Sequence, residues 1–98
     1  MARPEIVAYQ LQDQSEVEAF FASVWRLSRF PFDPEGAHSD VRGIPTVYQF
    51  NGGGFWLIRF SQIVGTVAIR RLSENIAEVK RLNVTEAHRG RGLGSRLL

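Results

Sequence analysis

The chain contains no cysteine, and this absence excludes several kinds of site at once. Without thiols there is no disulfide framework, no thiolate metal site and no cysteine nucleophile. No apolar run approaches the ~20 residues that cross a bilayer, and residues 1–5 lack the apolar stretch of a signal peptide. We therefore expect a cytoplasmic protein without a membrane partner.

Several familiar ligand and catalytic motifs are also missing. The glycines do not satisfy G-x-G-x-x-G, and no G-K-[ST] is present, so neither a dinucleotide-binding fold nor a nucleoside-triphosphate loop is indicated. No G-x-S-x-G nucleophile elbow occurs either. His38 and His88 stand fifty residues apart with no second ligand at short spacing, so we expect no metal site.

The charge of the chain is small in total but unevenly distributed. The 98 residues carry a net charge of +2, which is too small to indicate a basic protein overall. Residues 1–68 nevertheless contain five Lys or Arg against seven Asp or Glu, whereas residues 69–98 contain seven against three. The C-terminal third is therefore suited to an anionic ligand, although a solvated strand face would account for the charge alone.

Hydrophobic spacing predicts an α/β fold of the α+β kind that begins with a strand at residues 5–11. A helix should start at Ser15, where Glu18 three residues later completes a capping box, and should end at Pro31. Its apolar face is expected to join the core rather than to stack on a cofactor. That face comprises Val17, Phe20, Phe21, Val24, Trp25 and Ser28.

The rest of the chain divides into a loop and three strands. Residues 32–48 contain prolines, glycines and scattered charges, which indicate a loop with one short helical turn and a place for a substrate-specific element. Three β-rich runs follow at residues 55–60, 63–72 and 76–84, and their short connections predict hairpins. We expect an antiparallel β-meander with the helix on one face.

A glycine-rich segment follows the last strand and precedes a predicted helix start at residues 95–98. It reads Arg89-Gly90-Arg91-Gly92-Leu93-Gly94. Glycines let successive backbone N–H groups converge on one point, and a helix N-terminus adds partial positive charge there, so the segment suits a phosphate or pyrophosphate. An unliganded turn is the plain alternative. RNA binding by Arg-Gly repeats needs a longer run with interleaved aromatics, so no nucleic-acid partner is expected.

These residues resemble the GCN5-related N-acetyltransferases, whose signature [QR]-x-x-G-x-[GA] lies between the fourth strand and the third helix. Arg89, Gly92 and Gly94 fill its fixed positions, and residues 77–84 and 64–68 resemble the fourth and third strands. The resemblance implies a strand and helix, then the meander and the start of the cofactor-binding helix. It also implies direct transfer of acetyl from acetyl-CoA to an amine of a small molecule or protein, without a metal.

The resemblance assigns roles to individual residues. Backbone N–H groups from Arg89 to Ser95 would hold the cofactor pyrophosphate, with the charge of Arg89 and Arg91 added. Leu82 and Val84 would offer backbone groups to the pantetheine arm, and an N–H near Leu82 would face the thioester oxygen. The cofactor-binding residues are thus Leu82, Val84, Arg89, Gly90, Arg91, Gly92, Leu93, Gly94 and Ser95.

Glu78 is the candidate general base. It stands eleven residues before Arg89, the separation found in histone-acetylating members of the family that use a strand-four glutamate. A carboxylate beside the groove would take the proton that an amine must lose before it attacks the thioester. The alternative is a surface glutamate paired across the hairpin with Arg70 or Arg71. Strand alternation predicts that Glu78 shares a face with Lys80, Leu82 and Val84, and no residue is indicated as general acid.

The resemblance covers the N-terminal half of the family's domain. Residues 1–98 are therefore expected to form a single acyltransferase-like domain that is truncated after the start of the third helix. A second function follows from that expectation: a non-catalytic module that binds CoA or assembles, with a possible homodimer through the exposed sheet edge.

Overall fold

The computed structural model describes residues 4–26 and 30–85, and within them it contains one sheet, one α-helix and several short helical segments. The predicted α/β class is confirmed. The elements are β1 (Glu5–Ala8), a 3₁₀ turn (Leu11–Asp13), α1 (Gln14–Val24), a 3₁₀ helix (Ser39–Arg42), a π-helical segment (Pro45–Gln49), β2 (Gly54–Arg59), β3 (Ile63–Arg71) and β4 (Ala77–Val84).

The four strands form an antiparallel sheet in the order β1-β2-β3-β4. Strands β2 to β4 are joined by short hairpins, so the predicted meander is confirmed, with boundaries within one residue of those expected. Strand β1 lies beside β2, where Val7 is opposite Leu57. It ends at Ala8, three residues earlier than the alternation indicated.

Helix α1 differs from its prediction at both ends. It begins at Gln14, so Ser15 lies inside the helix and the expected Ser15–Glu18 capping box is wrong. The carboxylate of Glu18 instead accepts hydrogen bonds from the Gln14 amide at 2.8 Å and from the Arg42 guanidinium at 3.1 Å. The helix ends at Val24, well before Pro31, and the N–H of Trp25 donates to the Phe21 carbonyl at 3.0 Å.

The apolar face of α1 packs on the sheet as predicted. Val17, Phe20 and Phe21 are buried, and they contact a core that includes Phe55 and Leu57 of β2. The ring of Phe21 lies edge-on to that of Phe55, with 6.4 Å between centroids. Burial of a large aromatic side chain of this kind contributes roughly 2 to 3 kcal/mol. These contacts with the sheet therefore fix the position of α1.

Residues 32–48 are more ordered than the predicted loop with a single helical turn. Two short helical segments, Ser39–Arg42 and Pro45–Gln49, bring Val41, Ile44 and Tyr48 into the core, where all three are fully buried. Val41, Ile44 and Tyr48 are separated by three and four positions, which is the spacing of residues on one face of a helix. Pro45 is compatible with this arrangement because it stands at the first position of its segment, where a backbone N–H is not required.

Strand β4 contains a bulge that overturns one prediction about its faces. Ala68 is opposite Lys80 and Thr66 is opposite Asn83, so β4 has one residue more than β3 across this interval. The extra residue reverses the alternation. Asn83 therefore shares a face with Glu78 and Lys80, whereas Leu82 and Val84 turn to the opposite face.

Candidate functional site

Strand β4 carries three of the residues proposed from the sequence, Glu78, Leu82 and Val84. Glu78 lies opposite Arg70, and its side chain is exposed. Within residues 4–26 and 30–85 it takes part in no ion pair. The guanidinium of Arg71 donates to the Ser73 carbonyl at 3.2 Å. The cross-strand pairing that was the alternative role for Glu78 is therefore absent.

The pairing of β4 with β3 determines the direction in which the backbone groups of Leu82 and Val84 point. The N–H of Thr85 donates to the carbonyl of Val64, which lies in β3, at 2.9 Å. In an antiparallel strand, the backbone groups of successive residues alternate between the two edges. The N–H and C=O of Val84 consequently point away from β3, and those of Leu82, two residues earlier, do the same. In the described part of the chain no strand lies on that side of β4.

The bulge is centred on Arg81, whose backbone has a φ of 54°. This is the left-handed region that non-glycine residues seldom occupy. The Arg81 carbonyl accepts a hydrogen bond of 2.7 Å from the hydroxyl of Thr66, which is fully buried. The peptide bond that follows is trans, as are all the described ones. Its N–H, on Leu82, therefore points in the direction opposite to the Arg81 carbonyl.

The side chain of Arg81 forms a two-bond ion pair with Asp40. Nη2 donates to Oδ1 at 2.7 Å and Nε donates to Oδ2 at 2.9 Å, and each side chain is 15% exposed. The hydroxyl of Tyr48 also donates to Oδ2, and the guanidinium carbon lies 5.7 Å from the ring centroid of Trp25. We call Arg81, Asp40 and Tyr48 the bulge network.

The bulge network keeps its charges at ordinary pH. Burial alone would raise the pKa of Asp40, but the hydrogen bonds from Arg81 and Tyr48 outweigh it and hold the pKa below its usual value. Burial, together with the carboxylate of Asp40, raises the pKa of Tyr48. The Tyr48 hydroxyl is therefore a donor within the network. Sequence reasoning missed this network because its members are far apart in the chain.

Next to the bulge network, aromatic rings form one wall of a cavity. The ring of His38 stacks on Trp25 with 4.4 Å between centroids and on Phe32 at 5.8 Å. Its Nδ1 accepts the N–H of Asp33 at 2.8 Å. The cavity has a volume of about 480 Å³. It is lined by Phe30, Pro31, Phe32, Asp33, Ala37 and His38.

The remaining predicted site residues lie outside the described residues, which end at Thr85. They are Arg89, Gly90, Arg91, Gly92, Leu93, Gly94 and Ser95. In the part of the chain that the structure describes, no group of three or more His, Cys, Asp or Glu side chains is placed to hold a metal ion. No helix in that part is long and apolar enough to cross a membrane.

Comparison with known proteins gives a consistent result. The sequence model of a family described as "Acetyltransferase (GNAT) family" matches residues 17–98. No curated protein matches the chain. Among solved structures, a GNAT-family acetyltransferase from Staphylococcus aureus Mu50 superposes with a TM-score of 0.86 and 26% identity, covering 97% of this chain and 61% of that chain.

Two further structures share the fold. An acetyltransferase from Streptococcus agalactiae 2603 has a TM-score of 0.83 and 21% identity, over 96% of this chain and 60% of that chain. A GNAT-family acetyltransferase from Brucella melitensis, solved in complex with acetyl-CoA, has a TM-score of 0.74 and 17% identity, over 99% of this chain and 64% of that chain. The chain thus spans about three fifths of the length of these structures.

Proposed function

Because the chain belongs to the GNAT acetyltransferase family, we propose that it transfers acetyl from acetyl-CoA directly to an amine of a small molecule or protein. The observation that carries the proposal is the bulge in β4, which directs the N–H of Leu82 away from β3. An N–H in that position is suited to donate to the oxygen of a bound thioester. One relative with this fold was solved with acetyl-CoA, which supports the choice of donor.

The backbone of β4 fits the pantetheine arm of acetyl-CoA. That arm contains two amides, which pair with a strand edge as an added strand would. Leu82 and Val84 direct backbone groups to the side of β4 away from β3, as this pairing requires. Residues 89–95 are proposed to hold the pyrophosphate, whose charge converging N–H groups and two arginines would balance.

Glu78 is proposed as the group that accepts the proton of the amine. An alkyl ammonium with a pKa near ~10 must be deprotonated before it attacks. Glu78 is exposed and makes no ion pair within residues 4–26 and 30–85, so its carboxylate is accessible to an amine or to a bridging water. The nitrogen forms a bond to the acetyl carbon, the carbon–sulfur bond breaks, and the thiolate of CoA leaves.

The N–H of Leu82 is proposed to stabilise negative charge on the acetyl oxygen while the carbon–sulfur bond breaks. A preorganised donor of this kind is worth about 3 kcal/mol, or roughly a hundredfold in rate. The donor belongs to a peptide whose carbonyl is already held by Thr66. It is therefore in place before the reaction and requires no rearrangement.

A second function, a non-catalytic CoA-binding or assembly module, is favoured by a different observation. Strand β4 and the residue before it present exposed apolar side chains, with Ile76 58%, Val79 51% and Leu82 42% exposed. Apolar side chains on a strand whose outer edge has no paired strand, as for β4 within residues 4–26 and 30–85, favour pairing with another chain. In this alternative the protein would form homodimers through β4, bind CoA as well as acetyl-CoA, and release no CoA in the presence of amines.

Calorimetric titration with acetyl-CoA, followed by detection of released thiol over a panel of amines, tests the two functions. Arg91→Ala should weaken acetyl-CoA binding about tenfold, because a hydrogen bond to a charged group is worth roughly 1.5 kcal/mol. Arg70→Ala removes the same charge from an exposed strand position and serves as the control. Wild-type protein that binds acetyl-CoA but releases no thiol with any amine would favour the non-catalytic module.

The role of Glu78 is tested separately. Glu78→Gln keeps the size of the side chain and removes the base, so kcat should fall about a hundredfold while the dissociation constant for acetyl-CoA stays the same. Glu74→Gln, in the exposed turn before β4, is the matched control. Unchanged turnover in Glu78→Gln would exclude Glu78 as the base without affecting the assignment of the donor.

A further inference from the structure

We propose that the hydroxyl of Thr66 and the ion pair of Arg81 with Asp40 clamp the Arg81–Leu82 peptide, and so fix the direction of the N–H that faces the acetyl group. Thr66 and Asp40 are then positioning residues for the transfer, although neither lies on the outward edge of β4. This inference rests on the proposed function, because it concerns the donor to the acetyl oxygen.

The first part of the clamp acts on the carbonyl of Arg81. Thr66 is fully buried, and its hydroxyl donates to that carbonyl at 2.7 Å. A peptide unit is planar, so fixing the direction of its C=O fixes the direction of its N–H. The hydroxyl on β3 therefore determines where the N–H of Leu82 points on the far side of β4.

The second part acts on the side chain of Arg81. The left-handed backbone at this residue is disfavoured, and without another constraint the strand would relax toward an extended conformation. Two hydrogen bonds to Asp40 hold the guanidinium, and Asp40 is held in turn by Tyr48. Planar two-point pairing restricts the orientation of the arginine more than a single contact would.

The two contacts act on the same residue, one on the carbonyl of Arg81 and the other on its side chain. The ion pair keeps the bulge at Arg81 from relaxing, and the Thr66 hydroxyl sets the rotation of the peptide within the bulge. Loss of the hydroxyl alone leaves the strand in place but frees the peptide to rotate. A variant at Thr66 should therefore change the contact with the acetyl group more than the binding of the rest of CoA.

The experiment compares acetyl-CoA with CoA as two probes of the full-length protein. Thr66→Val removes the hydroxyl and nearly keeps the shape of the side chain, whereas Thr66→Ser keeps the hydroxyl. The control, Tyr9→Phe, removes a different buried hydroxyl, which is hydrogen-bonded to Gln14. For Thr66→Val, the ratio of the CoA to the acetyl-CoA dissociation constant should fall about fivefold, as expected for one neutral hydrogen bond. Thr66→Ser should restore the ratio, and Tyr9→Phe should leave it unchanged.

Two spectroscopic measurements accompany the titrations. The carbonyl stretch of bound [1-13C]acetyl-CoA should move to higher frequency in Thr66→Val, because the oxygen loses an aligned donor. In wild-type protein the amide proton of Leu82 should shift more on addition of acetyl-CoA than on addition of CoA, which shares the pantetheine arm but lacks the acetyl oxygen. This second measurement requires no variant, so it tests the donor even where Thr66→Val does not fold.

The possible outcomes separate the clamp from the proposed function. If wild-type protein binds acetyl-CoA and the Leu82 amide responds to the acetyl group, a loss confined to Thr66→Val supports the clamp. An equal weakening of both probes in Thr66→Val, or an unchanged ratio and carbonyl frequency, would overturn it while the proposed function stands. Wild-type protein that binds neither probe would overturn the proposed function itself.

Discussion

Substitution of Asp40 by Asn should destabilise the protein more than any substitution at an exposed ion pair. Asn keeps the shape of the side chain but leaves the guanidinium of Arg81 without a carboxylate, at a site where both side chains are 15% exposed. Removing one partner of a buried ion pair costs about 3 to 5 kcal/mol. Because these side chains are not completely buried and Asn retains one acceptor oxygen, we expect a loss of about 2 to 3 kcal/mol.

The loss should also depend on pH, with a direction set by Asp40. The pKa of this carboxyl is lower in the folded protein than in the unfolded chain, where an Asp titrates near ~3.9. The contribution of the carboxylate is thus fully present above about pH 4 and disappears as the pH falls through the folded pKa. The difference in stability between wild type and Asp40→Asn should be largest near pH 7 and should shrink in acid.

Urea unfolding followed by circular dichroism at several pH values measures this difference. Glu35→Gln is the control, because Glu35 also pairs with an arginine, at 3.6 Å, but its side chain is 87% exposed. Pairs of that kind are worth well under ~1 kcal/mol. If Asp40→Asn costs no more than Glu35→Gln, or if its cost does not change with pH, the reasoning about the bulge network is refuted.

Two further predictions concern the core and the turn before β2. Phe21→Ala should lower the free energy of unfolding by about 3 to 5 kcal/mol, because Phe21 is fully buried against β2; a shift in the thermal midpoint of less than a few degrees would contradict this. Gly53→Ala should cost about 1 to 3 kcal/mol, because a Cβ there would overlap the Ile69 carbonyl. In the same thermal assay Gly43→Ala, whose Cβ would meet only the Val47 side chain at 3.5 Å, should be close to wild type.

The sequence was sufficient for the regular parts of the fold. Alternation and short turns located β2, β3 and β4, and helical spacing identified Val17, Phe20 and Phe21 as core. Each of these features depends on neighbours in sequence, so a local pattern records it. The two helical segments within residues 32–48 were not predicted, because Gly43 and Pro45 interrupt the helical pattern of apolar residues. Val41, Ile44 and Tyr48 nevertheless keep helical spacing across this interruption.

Only part of the candidate site could be predicted from the sequence. The glycine-rich segment carries its chemistry in consecutive residues and was identified from the sequence, but it lies outside the described residues. The bulge was missed because Arg81 is not a glycine and nothing beside it marks a left-handed backbone. Its support comes from Thr66 and Asp40, which are brought to Arg81 only by the folded sheet and the helical layer.

The bulge also determines which changes to β4 the protein tolerates. Most substitutions in an exposed strand are mild, but the length of this strand is constrained. Deleting Arg81 would leave Lys80 and Asn83 two positions apart, so simple alternation would keep both on the face that they share now, but the left-handed residue and its hydrogen bonds to Thr66 and Asp40 would be lost. Among related sequences, we therefore expect variation in composition between Glu78 and Val84, but little variation in the number of residues.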